Sequence, residues 1–270
     1  MKLALIGHGG IATYAATQWQ EDAGISVAAV ICRRGREAAA SEAISAAHGM
    51  PVPAVADAAD LPDGIALAVD CGGHAALMAH GPALLRAGTD VVSVASGVLA
   101  TPEHAEALDA AARQGGARLR FVSGAIGAVD AVAAAAVGGL ERLTYIGRKA
   151  PAGWRGSAAE EVLDLDALSE AAVHFQGSAR EAARRYPKNA NVAATIAFAG
   201  AGLDETQVTL IADPAMTSNR HEVVAEGAFG RLHFVIDGNT LSSNPRSSAL
   251  TAMSVVAHVR QRLQRTSVCG

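Results

Sequence analysis

The sequence predicts an α/β protein in which an N-terminal, doubly wound parallel sheet precedes a smaller α+β domain. Three observations lead to this prediction. Up to about residue 122, short Val- and Ile-rich runs alternate with Ala-rich helical stretches, as in βαβ units. A glycine-rich turn directly follows the first of these runs. After residue 140, strand-like runs with partial period-two alternation become frequent, which is typical of a mixed or antiparallel sheet.

Composition narrows the class of protein. The 270 residues are 50% hydrophobic, which suits one large domain or two modest ones. The formal net charge is −4 and the sequence pI is about 6.1, so we expect neither a nucleic-acid nor a membrane partner. Cys32, Cys71 and Cys269 form no CxxC pair, and the N-terminal apolar run leads into glycines rather than a cleavage site. We therefore expect a cytoplasmic protein without a metal site.

Five runs predict the strands of the first domain, at residues 2–7, 25–34, 66–73, 90–97 and 118–124. The helical stretches between them carry end signals. Thr101, for example, is an N-cap candidate that is followed by Pro102 at the first helical position. Strands that alternate with helices predict a parallel sheet covered on both faces. We place this domain at residues 1–122.

The turn after the first strand contains the spacing G-x-G-x-x-A, from Gly7 to Ala12. At the amino terminus of a helix, free N–H groups and the helix dipole favour the pyrophosphate of a dinucleotide. This context predicts a Rossmann domain that binds NAD or NADP. The alternative is a tight turn without a ligand. The predicted cofactor-binding residues of this turn are Gly7, Gly9, Gly10, Ile11 and Ala12.

The end of the second strand predicts which dinucleotide is accepted. A fold that binds the ribose 2′-hydroxyl group usually has Asp or Glu at this point, whereas this sequence has Arg33 and Arg34. Guanidinium groups bind a 2′-phosphate group through paired hydrogen bonds. We therefore predict that NADP is accepted, with or without NAD. The alternative is that both arginines only place solvated charge at the start of the next helix.

The second domain is predicted at residues 123–243. Its strands are expected at 141–151, 206–213, 219–230 and 231–238, and its helices at 158–175 and 183–202. Gly230 is expected at a hairpin between the last two strands. In residues 244–270, an amphipathic helix is expected to start at Asn244 and Pro245 and to pack back on the first domain. The apolar stripe expected on this helix consists of Ala249, Met253, Val256, Val259 and Leu263.

Two histidines are candidates for acid/base chemistry, because imidazole exchanges protons near neutral pH. His74 follows the run at 66–73, where capping of a helix is the alternative role. His221 lies at the start of a predicted strand, where an ordinary surface position is the alternative.

Two further segments carry small or polar residues at a predicted crossing or helix start. Gly124, Ala125 and Gly127 leave room either for a planar ring or for close packing of backbone. Asn189 and Asn191 precede an apolar helix, and an N-cap role explains only one of them.

Several segments together resemble the L-aspartate dehydrogenase family, and the similarity spans essentially the whole chain. They are IGHGGIA (6–12), SGAIGAVDA (123–131), NANVAATIA (189–197), NRHEV (219–223) and NPRSSALTAMSVVA (244–257). The resemblance implies a Rossmann domain that binds NAD or NADP, a second domain that holds aspartate against the nicotinamide, and a homodimer. It also implies that Ala125 and Asn191 contact the cofactor and that His221 is the catalytic acid/base.

The reaction that this resemblance implies is the reversible oxidation of L-aspartate to iminosuccinate, which water converts to oxaloacetate and ammonia. The resemblance also implies that released iminosuccinate feeds pyridine nucleotide biosynthesis. The two carboxylates of the substrate need cationic or N–H partners, for which the sequence offers several unranked candidates: Arg148, Lys149, Arg155 and Lys188. Two alternatives stay open. One is an imine reductase similar to dihydrodipicolinate reductase, and the other is a dinucleotide sensor without catalysis.

Overall fold

The computed structural model describes residues 1–187, 191–242 and 244–267. They form two compact units, the first containing residues 1–122 and 251–267 and the second containing residues 123–250. Of the residues named above, the candidates Lys188 and Asn189 and the cysteine Cys269 lie outside the described residues.

The first unit is built on a six-stranded sheet with the strand order β3-β2-β1-β4-β5-β6. Its strands are β1 (Lys2–Ile6), β2 (Ser26–Ile31), β3 (Ala54–Val55), β4 (Leu67–Asp70), β5 (Asp90–Ser93) and β6 (Leu119–Phe121). All neighbouring pairs are parallel. The order reverses between β1 and β4, and ligands of such sheets bind near this point, at the carboxyl ends of the strands. The predicted doubly wound parallel sheet is therefore confirmed, with the short strand β3 added at one edge.

Four helices connect these strands: α1 (Gly10–Gln18), α2 (Glu37–His48), α3 (His74–Arg86) and α4 (Pro102–Gly115). The buried residues of α1 are Ala12, Ala15 and Ala16, which share a core with Leu3 and Leu5 of β1. These small side chains let α1 lie close to the strand that it follows. Helix α4 begins after Thr101 with Pro102 at its first position, as predicted, although the Thr101 side chain makes no capping hydrogen bond to the described residues.

The second unit contains a five-stranded mixed sheet with the order β11-β10-β7-β9-β8. Its strands are β7 (Leu140–Lys149), β8 (Ala172–Ser178), β9 (Gln207–Ala212), β10 (Asn219–Gly227) and β11 (Gly230–Gly238). Its helices are α5 (Val129–Val137), α6 (Ala179–Arg185) and α7 (Asn191–Ala199). Strands β7 and β9 are parallel and the other pairs are antiparallel. The predicted α+β domain is confirmed, and Gly230 lies at the hairpin with φ +109°.

The helix expected at 158–175 is wrong. A short 3-10 helix covers Ala158–Glu161, and strand β8 starts at residue 172 and pairs with β9. Between them, the carboxylate of Asp164 accepts hydrogen bonds from the backbone N–H groups of Asp166 and Ala167. Such local side-chain hydrogen bonds compete with helix formation. From residue 172 onward the segment is a strand because it pairs with β9.

The expected start of the C-terminal helix is also wrong. Residues 244–248 form strand β13 (Asn244–Ser248), which pairs with β12 (Thr240–Leu241), and helix α8 covers Ala249–Gln261. Met253 and Leu263, expected on the apolar stripe, are 45% and 43% exposed. The buried face of α8 consists of Ala252, Val255, Val256 and Val259, and the three valines share a core with Trp19 in the first unit.

Membrane-spanning helices and metal clusters were sought in the described residues. None of the helices formed by these residues combines the length and the apolar character that a bilayer crossing needs. In the same part of the chain, no three His, Cys, Asp or Glu side chains are grouped as metal ligands would be. Cys32 and Cys71 are free thiols.

Candidate active site

Glycine occupies positions 7 and 9 of the G-x-G-x-x-A turn for two different structural reasons. Gly7 follows β1 with φ +90°, a conformation that favours glycine, and its N–H donates to the carbonyl of Ile31 at 2.8 Å. A Cβ atom at Gly7 would lie 2.9 Å from Cα of Gly72. Gly9 has ordinary backbone angles, and a Cβ atom there would meet no atom of the described residues within 4 Å. Gly7 is therefore required by the fold, whereas the space beside Gly9 suits the close approach of a ligand.

The amino terminus of α1 suits an anion. Gly9 is its N-cap, and none of the side chains that the structure describes caps the free N–H groups there. The first turn of the helix carries no acidic residue. Gly10 and Ile11 begin this turn, and Ala12 is fully buried against the core. Uncapped N–H groups together with the helix dipole match the chemistry of a pyrophosphate.

Arg33 and Arg34 lie on the exposed turn that follows β2. The N–H of Arg36 donates to the carbonyl of Arg33 at 3.0 Å, and Gly35 has φ +81°, so the turn is tight. Within the described residues, neither Arg33 nor Arg34 takes part in an ion pair. Two solvated guanidinium groups at the carboxyl end of β2 suit the 2′-phosphate group of NADP.

Asp70 stabilises the loops at the carboxyl ends of β4 and β5, and the sequence analysis did not identify it. Its carboxylate accepts hydrogen bonds from the N–H of Gly72 at 2.9 Å and from the hydroxyl of Ser93 at 2.6 Å. The hydroxyl oxygen of Ser93 in turn accepts from the N–H of Ala95 at 3.0 Å. Burial raises the pKa of Asp70 to about 6, partly offset by the hydrogen bond from Ser93. Asp70 thus ties together the loops after β4 and β5, including the Gly72 backbone that touches Gly7.

His221 lies in the interior of the second unit and not on its surface. It is opposite Gly147 in the register of β10 and β7, and it is 3% exposed. Because side chains alternate along a strand, Tyr145 and Lys149 share the face of Gly147 and His221. The phenol oxygen of Tyr145 lies 2.7 Å from Nδ1 of His221. A Cβ atom at Gly147 would lie 2.8 Å from that oxygen, so the glycine makes room for the pair.

The surroundings of His221 hold its imidazole neutral. Burial, followed by the positive charge of Lys149, lowers the pKa of His221 to about 3. Burial also raises the pKa of the Tyr145 phenol, which is therefore protonated. The expected titration of His221 near neutral pH does not occur in this environment, since the imidazole has already lost its second proton there. A neutral imidazole with a fixed phenol on Nδ1 has the form that a general base needs.

The segment with Ala125 packs on the same sheet. Ala125 and Ile126 are buried, and a Cβ atom at Gly127 would lie 2.7 Å from the ring of Phe234 on β11. Close packing therefore explains Gly127. Asn191 is the first residue of α7, and its carbonyl accepts a hydrogen bond from the Thr195 hydroxyl at 3.0 Å.

The structure separates the candidate carboxylate partners. Arg148 lies on the other face of β7 and pairs with Asp213 at 2.8 Å, and Arg155 pairs with Asp166. Lys149 lies on the face of His221. His74, the second candidate base, begins α3 directly after Gly73 in the first unit. The sequence signal for Tyr145 and Lys149 was their alternation with Gly147, but alternation alone does not show which strand lies opposite.

Two family models match the chain. The model described as aspartate dehydrogenase, C-terminal, matches residues 130–262, and that described as homoserine dehydrogenase, NAD binding domain, matches residues 7–122. The L-aspartate dehydrogenase of Ruegeria pomeroyi is 52% identical over 262 residues, which cover 97% of this chain and 92% of the relative. That of Pseudomonas aeruginosa is 45% identical over 257 residues, 95% of each chain. The chain belongs to the L-aspartate dehydrogenase family.

Solved structures show the same fold. The crystal structure of aspartate dehydrogenase from Thermotoga maritima has a TM-score of 0.76 at 23% identity and covers 100% of this chain and 99% of its own. A hyperthermophilic archaeal homoserine dehydrogenase in complex with NADPH has a TM-score of 0.58 at 12% identity, over 98% of both chains. At these identities the likeness concerns the fold alone.

Membership in the L-aspartate dehydrogenase family confirms the predicted resemblance, the oxidoreductase class, and NAD or NADP as cofactor. The roles of individual residues stay predictions. They concern His221 as acid/base and Gly7, Gly9, Gly10, Ile11, Ala12, Arg33, Arg34, Ala125 and Asn191 as cofactor contacts.

Proposed function

We propose that this protein catalyses the NAD- or NADP-dependent oxidative deamination of L-aspartate to iminosuccinate, in a reversible reaction. The observation that carries the proposal is its similarity, over nearly the whole chain, to curated L-aspartate dehydrogenases. The buried pair of Tyr145 and His221 supports it, because the reaction needs a neutral base beside the substrate amine. Water then converts iminosuccinate to oxaloacetate and ammonia.

The proposed role of His221 is to take the proton of the substrate ammonium group. The freed nitrogen lone pair forms the C=N bond as a hydride leaves Cα, so the amino acid loses two electrons and the imine is formed. The cofactor, when bound, supplies the acceptor for this hydride. In the hydrolytic step, His221 orients the attacking water and exchanges its proton. A positioned acid/base of this kind contributes about 10²- to 10⁴-fold to the rate.

The residues of the first unit fit the cofactor. The uncapped amino terminus of α1 and the open space beside Gly9 would hold the pyrophosphate. Arg33 and Arg34 would hold the 2′-phosphate of NADP. Asp70 would keep the adjacent loops in place through its hydrogen bonds to Gly72 and Ser93.

A panel of amino acids, assayed with each cofactor by the absorbance of the reduced nicotinamide, tests the proposal. We expect L-aspartate to give the highest kcat/KM, with little turnover of L-glutamate, L-alanine and D-aspartate. Reduction of a cyclic imine without oxidation of L-aspartate would favour a relative of dihydrodipicolinate reductase instead. Binding of NADPH without turnover of any substrate would favour a dinucleotide sensor.

We also propose a homodimer, formed through the face of the five-stranded sheet opposite His221. On this face, Val173 is 48% and Val235 43% exposed, amid ion pairs such as Arg148–Asp213 and Arg220–Asp237. Light scattering coupled to gel filtration tests it, and a monomeric mass would contradict it. The cytoplasm is the proposed location, and supply of iminosuccinate to pyridine nucleotide biosynthesis stays a prediction.

A further inference from the structure

Lys149 is placed beside the proposed base by the geometry of the sheet. It is the last residue of β7 and shares a face with Tyr145, whose phenol contacts His221. Its ammonium nitrogen lies 4.9 Å from the centroid of the Trp154 ring. Trp154 is fully buried, and its indole N–H donates to the carbonyl of Ile211 at 3.0 Å. Burial and this hydrogen bond therefore hold the Trp154 ring in place beside the ammonium group.

The charge of Lys149 acts on two buried imidazoles. It lowers the pKa of His221, on the neighbouring strand β10, and that of His174, on strand β8 at the edge beyond β9. Burial is the largest cause for both imidazoles, and for His174 the charge of Arg185 contributes more than that of Lys149. The charged groups that perturb these two imidazoles are thus positive. A region of positive potential between neutral side chains suits an anionic substrate group.

We propose that Lys149 binds a carboxylate of the substrate beside His221. The inference rests on the proposed function, because it takes the substrate to be a dicarboxylic amino acid. Burial lowers the pKa of Lys149 to about 8, so the ammonium form still predominates at neutral pH. A bound carboxylate stabilises this charged form and offsets its field at His221. Substrate binding thereby raises the pKa of the His221 imidazole and makes it a stronger base.

The surrounding groups are consistent with this effect. Tyr145 on β7 is a protonated phenol, and His174 on β8 is neutral with Nδ1 placed 3.1 Å from the phenol oxygen of Tyr186. Both side chains are therefore uncharged at neutral pH. The Arg148 guanidinium, on the opposite face of β7, pairs with Asp213.

The test compares Lys149→Met, Lys149→Gln and Lys149→Arg with the wild type. Arg220→Gln is the matched control, because it removes one positive charge next to His221 from the opposite face of β10, where Arg220 pairs with Asp237. For each protein we would measure kcat and KM for L-aspartate, the dissociation constant of NADPH, and that of succinate for the enzyme–NADPH complex. Succinate is an unreactive dicarboxylate, so its binding is read without turnover.

Loss of one charged hydrogen bond predicts that Lys149→Met and Lys149→Gln weaken succinate binding, and raise KM for L-aspartate, by roughly 10- to 150-fold. Lys149→Arg should recover part of this loss, NADPH binding should be unchanged, and Arg220→Gln should resemble the wild type. The pH below which kcat/KM falls because of His221 should move upward in Lys149→Met, since a positive charge has been removed.

Succinate binding within twofold of the wild type in a folded Lys149→Met or Lys149→Gln protein would overturn the inference. A large loss of kcat with unchanged succinate binding would also overturn it, because Lys149 would then act in proton transfer. Thermal unfolding identifies a variant that does not fold, and the remaining variants then decide. If the wild type does not oxidise L-aspartate, the proposed function fails, whereas the succinate measurements still decide the role of Lys149.

Discussion

The phenol oxygen of Tyr145 lies 2.7 Å from Nδ1 of His221, and both side chains are buried between neighbouring strands. The two rings are nearly parallel, with centroids 6.1 Å apart and an angle of 22°. If His221 acts as a base through Nε2, the ring proton is on Nδ1, and this N–H donates a hydrogen bond to the phenol oxygen. Tyr145 then selects the tautomer and fixes the orientation of the ring. The same unit contains a second pair of this kind, Tyr186 and His174, at 3.1 Å.

Tyr145→Phe should lower kcat for L-aspartate by about 5- to 150-fold, because a buried imidazole N–H loses its partner at a cost of about 1–3 kcal/mol. The dissociation constant of the cofactor should not change. Tyr186→Phe is the matched control, since it removes a phenol from the other buried imidazole, and its kcat should stay within about threefold of the wild type. Equal effects of the two substitutions would show that Tyr145 has only a structural role.

His221→Ala should lower kcat by about two to four orders of magnitude while the cofactor still binds. With its pKa lowered to about 3, the imidazole of the free enzyme is neutral throughout the working range. Up to about pH 8, above which Lys149 loses its charge, kcat/KM should therefore rise with the free amine of the substrate and show no step near pH 6.5, the usual pKa of histidine being about that value. Steady-state kinetics across pH would check both expectations. Near-normal turnover by His221→Ala would leave His74 as the next residue to test.

Gly9→Val should abolish binding of both cofactors and leave the fold intact. Among the residues with a described structure, nothing lies within 4 Å of its Cβ atom, and the backbone angles of Gly9 suit any residue. Gly7→Ala is the contrasting variant. It should destabilise the protein by at least about 1–2 kcal/mol, because φ is positive and the Cβ atom would approach Gly72. Calorimetric titration with each cofactor, together with urea unfolding, distinguishes the two effects. Undiminished cofactor binding by Gly9→Val would remove this turn from the proposed site.

Replacing Arg33 and Arg34 together by Ala should weaken NADP binding and leave NAD binding almost unchanged. Charged hydrogen bonds contribute about 1.5–3 kcal/mol each, and the exposure of both side chains places the effect toward the lower end. Arg113→Ala, which removes an exposed arginine from α4, should change neither affinity. Fluorescence titration with NADPH and NADH measures this. Equal weakening of both cofactors would contradict a role in holding the 2′-phosphate.

Asp70→Asn should remove a pH-dependent loss of stability. The pKa of Asp70 rises from 3.8 to about 6 on folding, so the folded state favours the protonated carboxyl. This contribution is present at low pH and is lost as the pH rises through about 6. Relative to Asp70→Asn, the wild type should therefore lose up to about 3 kcal/mol of unfolding free energy between about pH 4 and pH 7. Urea unfolding of both proteins across this range measures the difference, and a constant difference would show that Asp70 is not perturbed.

The sequence by itself determined the cofactor half of this protein, because the signals there are local. The turn from Gly7 to Ala12, the basic end of β2 and the alternation of strands with helices each depend on residues close together in the chain. Repeated βαβ units also allow few arrangements of the sheet. The family resemblance could be read from short segments for the same reason, and it pointed to His221.

Only the tertiary structure decided what surrounds His221. Tyr145 and His221 are 76 residues apart, and they meet because β7 and β10 pair with Gly147 opposite His221. A shift of this register by one residue would send His221 to the other face of the sheet. Asp70 and Ser93 likewise meet across two neighbouring strands, and β8 is a strand because β9 supplies its hydrogen bonds. Burial and the charge of Lys149 then set the pKa of His221, and both depend on which strands are neighbours, which residue type and spacing alone do not specify.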